Sequence, residues 1–277
     1  MRRDRRPCRG PRALLAVAAF AGLVATAAAE TRVGGIYDVR FANVPVGRGE
    51  VSLVLDGEAY SAKVSVKPVG VGQMIAIGRT KADSAGWIRD LKVVPARYRL
   101  ESEDMAVDSR IRMALTEGRV ASVDAEPPLK PLPDRVPVKA ADLAGIVDPL
   151  SATLMPVADP DAEPGKAACN RDLPIFDGWT RYDVRLSYKT TRTVETKGYK
   201  ATAVVCQARW KPVSGHRPGR QAVQDLKDNR EIEAWLVPVP GTSVLLPFRI
   251  SLGTPAGPLV VEALDLKISG PDLSRAP

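Results

Sequence analysis

Histidine is almost missing from this chain of 277 residues, which carries one, His216. Cysteine is nearly as scarce, with three, and aromatic residues make up only 5%. Each shortage excludes a chemistry. A zinc site needs several cysteine, histidine or carboxylate ligands at close spacing, and this composition does not supply them. Nucleophilic catalysis needs a base beside the nucleophile; the one candidate base is His216, with Ser214 close before it, and no G-x-S-x-G elbow lifts a serine into reach. No C-x-x-C pair offers a redox couple, and no glycine-rich loop follows a strand to cradle a phosphate. Asp159, Asp161 and Glu163 lack the glycine and spacing of a calcium loop and read as a solvated linker. No cofactor and no metal are therefore expected. A hydrolase-type enzyme stands only as a third reading, because paired carboxylates can converge in space without a signature in the sequence.

A long apolar run is also absent, with one exception at the start. Six arginines (Arg2, Arg3, Arg5, Arg6, Arg9 and Arg12) precede the apolar stretch Ala13 to Ala25, and Ala27-Ala28-Ala29 closes it with small residues. That order of charged region, short apolar region and A-x-A site predicts a secretory signal cleaved after Ala29. The run falls short of the ~20 apolar residues a bilayer needs, and no transmembrane segment is expected after the signal is removed. Residues 30–277 then read as one β-rich, periplasmic or secreted domain. The signal's six arginines and single aspartate account for +5 of the formal charge of +8, which leaves the remainder near +3. Its basic residues are mixed with acids, as in RYRLESED, so no continuous phosphate track is offered and no nucleic-acid partner is expected.

What is present is alternation. Tyr37, Val39 and Phe41 alternate with Asp38 and Arg40; Ile111, Met113 and Leu115 pair with Val120 and Val123 across Glu117-Gly118; Tyr182, Val184 and Leu186 alternate with charged residues. Turns are expected at Asn43 to Gly47, at Asp56-Gly57, at Asp83 to Trp87 and at Lys197-Gly198, and a final hairpin joins Leu245–Leu252 to Leu259–Ile268. VGVGQMIAIG, from Val69, is glycine-broken and fits a bend, a short helix or an edge strand. Short strands at close spacing predict a mainly β fold, an antiparallel meander forming a curved sheet or open barrel, with one or two short helices. The helical candidates follow Asp148-Pro149, an N-cap acceptor with proline at the first helical position, and span Gln221 to Leu226. Proline-rich connectors occupy residues 126–137 and 156–168.

Two cysteines, Cys169 and Cys206, remain after the signal, and an oxidising compartment predicts a disulfide between them. Closing that loop stabilises the fold by about 4 kcal/mol in the chain-entropy description. His216, Arg217 and Asp148 form the candidate polar group. A loop histidine beside Arg217 and Arg220 reads first as a surface or structural hydrogen-bonding residue.

With YDVRFANVPVGRGEVSL, VDPLSATLMP, LPIFDGWTRYDVRLS and SGHRPGRQ taken together, the chain resembles the exported bacterial proteins grouped as the domain of unknown function 3108 family, from Gly35 to Ile268. The resemblance implies a β-rich protein of the cell envelope with no assigned catalytic residue. Two functions fit these readings. One is a binding or carrier module for an apolar or amphipathic envelope ligand; the other is a structural or interaction component that docks an envelope protein. A ligand cavity inside the sheet would favour the first, and a filled core the second.

Overall fold

The computed structural model describes residues 30–73, 78–103 and 107–270. Residues 1–29, where a signal is expected, and residues 74–77 of the glycine-broken stretch lie outside them; Gly70–Gln73 of that stretch form a 3-10 turn. The fold is mainly β. The strands are β1 (Thr31–Phe41), β2 (Val44–Asp56), β3 (Ala59–Pro68), β4 (Arg79–Arg89), β5 (Lys92–Glu103), β6 (Ser109–Thr116), β7 (Arg119–Glu126), β8 (Met155–Pro156), β9 (Arg171–Phe176), β10 (Arg181–Thr196), β11 (Tyr199–Ser214), β12 (Ile232–Pro238), β13 (Val244–Leu252) and β14 (Leu259–Ser269). The one α-helix among the described residues, α1, is Gln221–Asp228.

All strand ladders are antiparallel, and the order across the sheet is β7-β6-β5-β4-β3-β2-β1-β14-β13-β12-β11-β10-β9, with β8 attached to β13. The chain thus lays down one half outward from β1, then builds the second half inward until β14 pairs with β1. The sheet is curved but unclosed. Residues 144–147 bridge its two end strands without joining them directly: Ala144 sits against Arg119 of β7, and Val147 against Ile175 of β9.

Strict alternation places the inward residues. In β6, Ile111, Met113 and Leu115 are buried while their neighbours are exposed. The hairpin to β7 turns at Glu117-Gly118, both at positive φ, as the sequence predicts. Other turns shift. The first hairpin turns at Ala42-Asn43, both at positive φ, so Val44 to Gly47 belong to β2 and form no turn. The next loop is Gly57-Glu58, one residue beyond the expected Asp56-Gly57. Asp83 to Trp87 form no turn at all: they lie within β4, and the reversal falls at Asp90-Leu91. The segment after Asp148-Pro149 makes a single 3-10 turn at Ser151–Thr153 in place of a longer helix. It stops there because Met155 and Pro156 leave as β8 and pair with Leu245 and Val244.

Three apolar clusters hold the sheet. The first joins both halves through Val33, Tyr37, Leu53, Val237, Phe248 and Leu266. The second surrounds Cys169, Leu186, Cys206 and Leu236. The third packs Tyr98, Ile111 and Met113 against Phe176. The connector between β7 and β9 contributes to all three: Ile146 to the third, Leu154 to the first, Met155 to the second. Much of the apolar face of the sheet is therefore covered by the protein's own chain.

Candidate functional site

Asp148 is fully buried, as are Ser84 and Ser151. Its Oδ1 accepts the backbone N–H groups of Leu150 (3.0 Å) and Ser151 (2.9 Å), which caps the 3-10 turn. Its Oδ2 accepts the hydroxyl of Ser84 at 2.9 Å and that of Ser151. Tyr60 completes the group with its hydroxyl 2.6 Å from Ser151 Oγ. Burial pushes the Asp148 carboxyl above its ordinary pKa, against the lowering effect of these hydrogen bonds. Burial, aided by the Asp148 charge, raises the Tyr60 phenol to about 12, so it stays a donor at neutral pH. The chemistry available here is hydrogen bonding between β3, β4 and the connector.

His216 and Arg217 lie just after β11 and engage the same connector nearer its start. Gly215 N–H donates to the Val136 carbonyl (2.8 Å), and Val136 N–H donates to the His216 carbonyl (3.0 Å). Arg135 Nη1 donates to the Gly215 carbonyl at 2.5 Å. Arg217 Nε pairs with Asp134 at 2.8 Å and holds that carboxyl below its usual range. His216 Nδ1 and the Ser214 hydroxyl do not hydrogen-bond one another, so the two make no dyad. Burial lowers the imidazole pKa and favours the neutral ring. Gly215 has φ +81°, and a Cβ there would run into the Trp179 carbonyl. Gly215→Ala is accordingly expected to destabilise the protein by about 2 kcal/mol or more, read as a lower midpoint in urea with an unchanged m-value.

Cys169 ends a 3-10 turn at the close of the second connector, and Cys206 sits in the middle of β11. Their Cα atoms are 5.3 Å apart, within the span of a disulfide, and both residues are fully buried. The residues singled out by sequence therefore do not converge on one site. Asp148, His216 and Arg217 fasten the first connector at two places, and Cys169 and Cys206 fasten the second.

A site with room for a ligand lies elsewhere. Between α1 and strands β10–β14 is a cavity of about 250 Å³ lined by apolar side chains, among them Trp210, Leu226, Ile232, Ile250, Leu252 and Val261. The register explains the patch: Val184 opposes Trp210, Ile232 opposes Leu252, and Ile250 opposes Val261, so one face of five strands carries it. Ile250 is 37% exposed. Arg209, between the lining residues Ala208 and Trp210, donates Nη1 to the Asn229 carbonyl (2.9 Å) just after α1. Sequence reading assigned these residues to strands and a helix but did not assemble them. The register across β12 and β13 is the missing information.

Residues 36–263 match the family described as "Protein of unknown function (DUF3108)", and the chain belongs to it. No curated protein matches the chain. Among solved structures it is similar to a β-barrel-like protein of the domain of unknown function DUF1849 from Brucella abortus, at 11% identity and a TM-score of 0.42, over 88% of this chain and 98% of that one. No helix among the described residues is long and apolar enough to cross a membrane.

Proposed function

We propose that residues 30–277 form, after removal of 1–29, an exported non-catalytic binding module that holds the apolar part of an amphipathic envelope ligand in the groove under α1. The observation that carries this reading is the wholly apolar lining of that groove around Trp210 and Ile250, open to solvent. The lining suits a hydrocarbon tail. The connector's Ile146, Leu154 and Met155 fill other parts of the apolar face, and the groove under α1 is a portion of that face they leave open.

Fatty-acid titration followed by tryptophan fluorescence tests the reading, with Trp210→Phe identifying the reporting ring. Each buried methylene is worth about 0.8 kcal/mol. Decanoate should thus bind up to about 15-fold tighter than octanoate while the groove still has room. Ile250→Glu should abolish the tightening and leave the fold intact, since this side chain is partly exposed. Absence of saturable binding by either acid, or equal binding by the Ile250→Glu protein, would remove the proposal. The exposure of Ile250 at this groove suits a second reading, an envelope protein that docks a partner there; in-cell photocrosslinking from position 250 distinguishes a protein adduct from a lipid one.

A further inference from the structure

A cavity of about 730 Å³ lies on the other, polar face of the first half. Register defines two lines of side chains that cross β14 and β1–β5 there. One runs Lys267, Gly34, Ser52, Lys63, Asp83, Arg99, each opposite the next. The other runs Asp265, Ile36, Glu50, Ser65, Lys81, Glu101. The first line is mainly cationic and the second mainly anionic. The acid in the first line, Asp83, is already paired with Arg97 outside the groove (3.5 Å). Lys63 and Lys267 on one wall, and Glu101 and Asp265 on the other, make no ion pair among the described residues, all of whose ion pairs lie elsewhere, as with Glu50, which faces Lys67 at 3.8 Å. Between their charged positions the walls are low: Gly34 and Ser52 in the first line and Ser65 in the second are small, and Gly34 has open space where a Cβ would project.

The dimensions follow from sheet geometry. Positions two residues apart on a strand are ~6.8 Å apart, which separates the walls, and six strands at ~4.8 Å spacing give a length of ~24 Å. An extended peptide laid along that length, across the strands, sends successive side chains to opposite sides. We propose that this groove binds an extended peptide of alternating charge, with its acidic side chains against Lys63 and Lys267 and its basic ones against Glu101 and Asp265.

The probe is an end-capped hexapeptide in which glutamate and lysine alternate, titrated by isothermal calorimetry at low salt against the chain beginning at Glu30. An end-capped peptide of the same composition in blocks, three glutamates followed by three lysines, serves as its control. The alternating peptide should bind at least tenfold more tightly than the block peptide. The double change Lys63→Glu with Lys267→Glu should weaken it tenfold or more, and these exposed positions leave the far-ultraviolet circular dichroism unchanged. Equal binding of the two peptides, an unaffected double variant or no saturable binding at all would each overturn the proposal. Binding of hexaglutamate as tightly as the alternating peptide would do so too, since it makes the groove a plain anion site.

Discussion

Asp148→Ala is expected to destabilise the protein by about 3 kcal/mol. The change strips the cap from the Ser151–Thr153 turn and leaves the N–H groups of Leu150 and Ser151 short of a partner in a site closed to water. Asp148→Asn separates shape from charge. The amide oxygen can still accept the two N–H groups, and Ser84 can turn its proton to the Arg97 carbonyl, 3.1 Å away. The sign of the pH dependence follows from burial. The folded-state pKa of Asp148 is raised, so the native state binds the proton more tightly than the unfolded chain does. Its stabilising contribution is complete below about pH 4, near the unfolded value, and is lost as pH rises through the folded pKa. The Asn protein lacks this slope. Urea denaturation of both proteins at pH 4 and pH 7 should show the Asn variant closing on, or overtaking, the natural protein at the higher pH. A gap that widens with pH would mean that the carboxylate form is the favoured one, against the burial argument.

Cutting the tie between Cys169 and Cys206 should be comparably severe. The residues are separated by 37 positions, and releasing a loop of that size costs about 4 kcal/mol when the unfolded chain regains its freedom. Both cysteines are fully buried in the cluster with Leu186 and Leu236. A reductant should therefore act slowly on the native protein and fast once it is unfolded. Thiol titration of the chain beginning at Glu30 should find no free thiol under native, unreduced conditions, and two after denaturation and reduction. Two reactive thiols at the outset would overturn the bonded state. The double variant Cys169→Ala with Cys206→Ala should unfold at a markedly lower urea concentration.

The sequence announced those parts of the fold that obey one rule at a time. Strict alternation and a glycine at positive φ gave β6, β7 and the Gly118 turn, and likewise the β10–β11 hairpin at Lys197-Gly198. It misled where two demands meet on one residue. Asp83 to Trp87 has turn composition, yet Ser84 is small and polar because it reaches Asp148, and Gly86 is bare because the Val94 carbonyl lies where its Cβ would be. Neither reason is local. The candidate polar residues Asp148, His216 and Arg217 take partners that no local pattern indicates, since Tyr60, Ser84 and Val136 come from distant strands and connectors. Both grooves lie outside local patterns for the same reason, since each is a product of register across five or six strands.

The seam between β1 and β14 has a consequence for how the molecule comes into being. Arg32 pairs with Ser269 and Phe41 with Leu259, so the ladder in the middle of the sheet joins the first strand to the last. Tyr37 adds a hydrogen bond to the Pro247 carbonyl, across 210 positions of chain (2.8 Å). During synthesis β2 to β7 can zip outward from β1 by local hairpins, but the other side of β1 has to wait. Contacts this distant in sequence slow folding and leave a strand edge unsatisfied meanwhile. The nascent first half is thus the aggregation-prone species, and its vulnerable side is the one that ends up at the centre.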